Sequence, residues 1–176
     1  MSPAGTPADT LALGDFNDAD AAAAASVVRV WASIPWWVDD VVAGRPYADV
    51  DALAARAADL ATGWSRADLD EALAHHPRIG QRPSGSGAEA AASAREQASM
   101  NDADASVADR IAAGNAAYEE RFGRVFLIRA AGRAPDEMLA ELERRLANDE
   151  EAEADEATGQ LAEIALLRLR AGVTEG

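Results

Sequence analysis

His75 and His76 are the only histidines in the chain and there is no cysteine, so few side chains can move protons near neutral pH. His76 stands directly before Pro77, and a residue before proline is pushed out of the helical region. Its imidazole is thereby predicted at a helix-to-loop junction, where it could serve as a general acid or base. The bland alternative is a histidine that interacts with a helix C-terminus and does nothing more. His75 fits the last helical turn and is expected to face water.

A second cluster is Ser93, Glu96, Gln97 and Met100, whose i, i+3, i+4, i+7 spacing predicts one helix face. That face would hold a hydroxyl, a carboxylate and an amide where an Ala-rich helix ordinarily packs. Ser93-x-x-Glu96 also fits a capping box, but Ser86-x-x-Glu89 fits the same motif at an earlier helix start. With Ser86 as the cap, Ser93 and Glu96 fall mid-helix and need another reason; a solvated polar face is the alternative. Arg168 is the third candidate. Leu161, Ile164, Ala165 and Gly172 span a narrow helical arc that includes Arg168, while Arg170 falls opposite, near Glu163. An inward arginine either snorkels past the core or holds an anion within it. Being costly to desolvate, it is expected to add little to stability.

The elements that position these residues read as helices nearly throughout. Of 176 residues 45 are Ala, and all 16 cationic residues are Arg; both types favour helix. Helices are predicted over 18–30, 31–42 after a break at Ser33-Ile34-Pro35, 49–62 with Asp49 as N-cap, and 65–75 with Ser65 as N-cap. An irregular segment follows over 76–87, then helices over about 86–100 and 103–121. Val125-Phe126-Leu127-Ile128 reads as an extended stretch or a buried helix start. Residues 135–148 are amphipathic, with Met138, Leu139, Leu142 and Leu146 inward. The acidic run 149–156 opens a last helix to about 171, where its charge suits the dipole. The expected class is all-α, a compact single-domain bundle of about eight helices, with a flexible arm at 1–10, a helical domain at 11–172 and a C-terminal tail at 173–176.

Composition excludes several functions. A net charge of −15 repels phosphates, so neither nucleic acid nor an anionic membrane is an expected partner. Charges interrupt every apolar stretch well short of a membrane span, and Met1 to Ala12 has no basic n-region, so a cytoplasmic protein is expected. A metal hydrolase built on His75, His76 and the acids of 102–109 fits poorly, because adjacent histidines do not share a helix face. A non-enzymatic acidic helical interaction module stays open as the alternative to an enzyme.

Three blocks in order resemble the OHCU decarboxylases, which act on 2-oxo-4-hydroxy-4-carboxy-5-ureidoimidazoline, the last intermediate between urate and allantoin. They are His76-Pro77-Arg78-Ile79-Gly80, Ser93-Ala94-Arg95-Glu96-Gln97, and Asn115-Ala116-Ala117-Tyr118-Glu119-Glu120-Arg121-Phe122-Gly123. The likeness extends upstream to Ser33-Ile34-Pro35-Trp36 and Arg45-Pro46-Tyr47. Downstream it takes in Gly132-Arg133, Arg145 to Asp149, and Glu163 to Leu169, so that it spans about 11–172. The resemblance implies an all-α decarboxylase with no cofactor and no metal, in which His76 and Glu96 are catalytic. It implies that Arg168, Ser93, Gln97 and Pro77 bind the substrate, a small ureidoimidazoline; a homodimer is left open. Three departures stand out. Arg124 replaces an aromatic or hydrophobic residue, Gly114 a leucine, and Ala98-Ser99-Met100 a glycine-containing turn. Arg124 is expected either to alter a pocket wall or to point outward.

Overall fold

The computed structural model describes residues 10–74, 76–81 and 87–176. Residues 1–9 of the expected arm, together with His75 and Ser86, lie outside the described residues. Among the described residues the class is all-α, with nine α-helices rather than about eight, one short 3-10 helix and a pair of two-residue strands. The chain divides into two compact units, residues 1–63 with 164–176, and residues 64–163.

The first unit holds β1 (Leu11–Ala12), α1 (Leu13–Asp18), α2 (Ala21–Trp31), α3 (Pro35–Ala43), α4 (Val50–Ala61), the end of α9 (Glu150–Gly172) and β2 (Val173–Thr174). The helix predicted from residue 18 starts instead at Ala21, because the Asp20 side chain accepts the Ala23 N–H at 2.8 Å and caps it there. Pro35 opens α3, where its missing N–H costs nothing. Asp49 caps α4 as predicted, accepting from Ala52 N at 2.7 Å. Phe16, Val28, Ile34, Trp37 and Leu53 are buried, and Trp37 Nε1 donates to Ala57 O at 3.0 Å. Carbonyls at a helix C-terminus lack partners within the helix. Arg45 meets that need, its Nη1 donating to Phe16 O (2.8 Å) and Ala19 O (2.7 Å) and its Nε to Val42 O (3.0 Å). Gly44 is required by its neighbour, since a Cβ there would lie 2.3 Å from Tyr47 Oη. Residues 173–175 are tied down. Val173 pairs with Leu11 in a parallel ladder, and the Glu175 carboxylate accepts from Val50 N at 2.8 Å.

The second unit holds α5 (Arg66–Leu73), α6 (Ala88–Glu96), the 3-10 helix Ala98–Asp102, α7 (Ala105–Phe122), α8 (Pro135–Arg145) and the first part of α9. α5 begins in a complete capping box. Ser65 Oγ accepts from Asp68 N at 3.2 Å while the Asp68 carboxylate accepts from Ser65 N at 2.8 Å. α6 begins at Ala88, with Gly87 at the N-cap position and no side-chain cap bond. The apolar run 125–128 belongs to no helix or strand; Phe126, Leu127 and Ile128 are buried along an irregular segment. Phe126 and Ile128 join Ile111, Tyr118, Met138 and Leu142 in this unit's apolar core. Gly114 explains itself here. A Cβ on it would lie 2.6 Å from Leu142 Cδ2, so the space a leucine would take on α7 is filled from α8.

Charge also enters this interior. Arg145 and Glu153 are 1% and 0% exposed and form a salt bridge through Nη2 and Oε1, with Arg145 Nε 2.9 Å from Glu153 Oε1. Arg145 Nη1 donates to Leu127 O at 2.7 Å, and its guanidinium lies over the Phe126 ring, 4.6 Å from the centroid. Glu153 accepts from Tyr118 Oη (2.5 Å) and Asn148 Nδ2 (3.0 Å). Burial, and then this bond to Glu153, push the Tyr118 phenol above its ordinary pKa.

Removing one partner of a buried pair strands the other charge, at about 3–5 kcal/mol. Arg145→Met should therefore lower the urea unfolding free energy by about that much, and a second change of Glu153→Leu should restore most of it. A loss under about 1 kcal/mol for Arg145→Met would contradict the role of the pair. Gly114→Ala gains about 1 kcal/mol of helix propensity but overpacks against the fully buried Leu142. A net loss is expected in the same measurement.

Candidate active site

The loop that carries His76 is built by local rules. α5 ends at Leu73, and His76 N donates to Leu73 O at 3.1 Å, closing the last turn. Pro77 has no N–H to donate, so the helix cannot continue. His76 and Pro77 are half-buried, Arg78 is exposed and Ile79 is buried in the second unit's core. Gln81 N donates to Arg78 O at 3.1 Å, which makes 78–81 a tight turn. Gly80 sits in it at φ 86°, a left-handed conformation that only glycine adopts without strain.

Ser93 lies mid-α6 and is buried; Glu96 is the last residue of that helix and half-buried. The expected single helix face is not formed. α6 stops at Glu96, Gln97 caps it with φ −92° and ψ 9°, and Met100 falls in the following 3-10 helix. The break lets the Gln97 amide turn to the histidine loop. Its Oε1 accepts from Gly80 N at 3.0 Å and its Nε2 donates to Arg78 O at 3.4 Å.

α7 reaches the same loop. Asn115, buried, donates from Nδ2 to Ile79 O at 3.0 Å. One turn on, Glu119 forms a bidentate pair with Arg78, with Nη2 to Oε2 at 2.9 Å and Nε on Oε1. The hydrogen bond from Arg78 holds the Glu119 carboxyl below its ordinary pKa. Arg78, Ile79, Gly80, Gln81, Met100 and Asn115 line a cavity of about 420 Å³ in this unit.

Arg168 belongs to the first unit. It is 6% exposed and its Nη1 donates to Val30 O at 2.7 Å, at the C-terminal end of α2. Arg170 is exposed and pairs with Asp51 at 2.8 Å. The apolar arc thus separated the two arginines correctly, but Arg168 has a structural duty the arc did not reveal. Arg124 neither points outward nor lines that cavity. It is buried, donating to Asp70 (3.1 Å) and Glu150 (2.8 Å), and so ties α5 to the start of α9.

Asn115 and the Arg145–Glu153 pair have no assigned role in the sequence reading. A signal was available. Ile111, Asn115, Tyr118 and Phe122 form a buried stripe along α7, and a polar residue on such a stripe is the same anomaly that singled out Arg168. Glu153, Ala157 and Leu161 repeat the pattern along α9, with Glu153 inside the acidic run 149–156.

An all-helical scaffold with a proline-terminated histidine loop held by amides is the class these observations define. The sequence model of OHCU decarboxylase matches residues 17–170. The 2-oxo-4-hydroxy-4-carboxy-5-ureidoimidazoline decarboxylase of Haloferax volcanii is 29% identical over 142 residues, spanning 80% of this chain and 83% of its own. A crystal structure of OHCU decarboxylase in the presence of (S)-allantoin superposes with a TM-score of 0.68 at 26% identity, over 80% of this chain and 92% of that one. An (S)-allantoin synthase structure shares the fold at a TM-score of 0.67 and 19% identity, over 93% of this chain and 54% of its own. The chain belongs to the OHCU decarboxylase family.

The Arg78–Glu119 pair gives a direct check on the loop's anchoring. A depressed carboxyl pKa means the pair contributes above the ordinary glutamate value, about 4.3, and is lost as pH falls through the lower folded value. Carbon-detected titration should find Glu119 below an exposed glutamate, and Arg78→Ala should return it to the ordinary range. An unshifted Glu119 in the unaltered protein would contradict the contact.

Proposed function

We propose that the chain releases CO2 from 2-oxo-4-hydroxy-4-carboxy-5-ureidoimidazoline and forms (S)-allantoin. The observation that carries this reading is the family match over 17–170, which takes in the histidine loop, α6 and the last helix. The Haloferax relative and the structure with (S)-allantoin support the substrate and product. No helix among the described residues is long and apolar enough to cross a membrane.

The substrate carries a carboxylate and a hydroxyl on one ring carbon beside a C=N bond. Breaking the C–CO2 bond leaves an electron pair that the C=N accepts, giving an enol-like intermediate. The ring thus supplies the electron sink that cofactors provide in other decarboxylations. The protein must turn the carboxylate out of the ring plane, stabilise the developing charge and protonate one face of the neighbouring carbon. His76 and Glu96 are assigned to the hydroxyl proton, the departure of the carboxylate and the relay of a proton to carbon. Arg168 is assigned to a carboxylate or ring carbonyl oxygen, which its guanidinium can meet with two parallel N–H bonds. Ser93, Gln97 and Pro77 are assigned to holding the ring. An amide has two acceptor sites and two donors, so Gln97 can serve the loop and a ligand together.

Steady-state decarboxylation of freshly generated substrate, with a melting curve for every variant, tests these roles. His76→Ala and Glu96→Ala should lower turnover by about 10²–10⁴-fold, and Arg168→Ala by about 10²–10³-fold. His75→Ala and Arg170→Ala should stay within a few-fold. Arg168→Ala should also cost about 1–3 kcal/mol, because Val30 O loses its donor; this replaces the expectation of a neutral effect on stability. Wild-type turnover no faster than the spontaneous reaction would overturn the activity. His75→Ala as damaging as His76→Ala at unchanged melting temperature would overturn the choice of histidine.

A further inference from the structure

The backbone just after the proposed catalytic histidine is held by polar contacts. Three consecutive residues each have a main-chain group in the grip of a side-chain amide. Gln97 takes Arg78 O and Gly80 N, and Asn115 takes Ile79 O. The cavity of about 420 Å³ borders this same turn, so packing alone does not fix it there. Asn115 and Glu119 lie four residues apart on α7, which puts both on one helix face, and Glu119 holds the Arg78 side chain. One helix face therefore meets both the backbone and a side chain of the loop.

Asn115 is kept at a cost. It lies on an otherwise apolar stripe, and among the described residues its Oδ1 is buried without a hydrogen-bond partner. A buried polar atom left unpaired is unfavourable, and a native structure that keeps one calls for a reason. The Nδ2 bond to Ile79 O supplies that reason.

We infer that Asn115 is a positioning residue for the decarboxylation, fixing through the Ile79 carbonyl the turn that sets the backbone of His76. This rests on His76 acting as proposed above. A displacement of about 1 Å in a reacting group can lower a rate by about 10²-fold while substrate binding survives. The signature is thus a fall in kcat with KM little changed.

The chain's two histidines make an activity-independent readout available. In a His75→Gln background, the carbon–proton spectrum of the imidazoles contains one signal, that of His76. Asn115→Leu keeps the volume and removes the donor. In that background it should melt cooperatively, shift or split the His76 signal, and lower kcat by about 10–100-fold with KM within about threefold. An unmoved His76 signal, or an unchanged kcat, would overturn the inference. Should Asn115→Leu fail to fold, the unaltered protein still decides. The Asn115 side-chain amide protons should exchange with solvent far more slowly than those of an exposed asparagine, and exchange at the exposed rate would overturn the inference. If the unaltered protein shows no decarboxylation at all, the proposed function fails, while the His76 signal and the amide exchange still test whether Asn115 orders the loop.

Discussion

The buried pair of Arg145 and Glu153 ties together the helices that support the histidine loop in the second unit. Arg145 closes α8 and Glu153 sits in the first turns of α9, so the pair joins two helices that meet at a short connection. Arg145 also carries the segment between α7 and α8, which has no helix or ladder to satisfy its carbonyls, through its bond to Leu127 O. Glu153 reaches Tyr118 on α7. Four stretches of chain thus meet in one set of charge-assisted bonds buried from solvent. α7, held this way at Tyr118, is the helix whose Asn115 and Glu119 anchor the histidine loop. The order of the loop is inherited from the ion pair through Tyr118, less than one helical turn from Asn115 and next to Glu119.

Shape complementarity does the remaining work. Gly114 gives way to Leu142 on α8, and Gly44 gives way to the Tyr47 hydroxyl. In the first unit Arg45 plays a role like that of Arg145, since its donors collect carbonyls at the ends of α1 and α3. Arginine suits both positions because its planar fork can serve several carbonyls at fixed angles.

The all-α class was legible from composition, and the caps Asp49 and Ser65 from local chemistry, because both depend on residues close in sequence. The exit of His76 from its helix was legible for the same reason. The end of α6 at Glu96 was not. Nothing within 88–100 breaks a helix outright, and the turn at Gln97 is compensated by bonds to Arg78 and Gly80, some 17 to 19 residues away in sequence. The burial of Glu153 was not legible, because an acidic run at a helix start satisfies the dipole wherever its members point. Its burial follows from Arg145 and Tyr118, which only the tertiary structure brings to it. Arg124 was likewise settled by Asp70 and Glu150, distant partners that a surface reading does not supply.

Formation of one hand of allantoin requires the protein to guide the proton as well as the carboxylate. Loss of CO2 alone would leave a planar intermediate that water can protonate from either face. A side chain fixed beside one face delivers a single hand of product. The most direct measurement is the optical activity of allantoin formed in the first turnovers from freshly generated substrate, with and without the protein. (S)-allantoin is expected in large excess with the protein and a racemic product without it. Racemic allantoin released at an enzyme-accelerated rate would contradict that expectation.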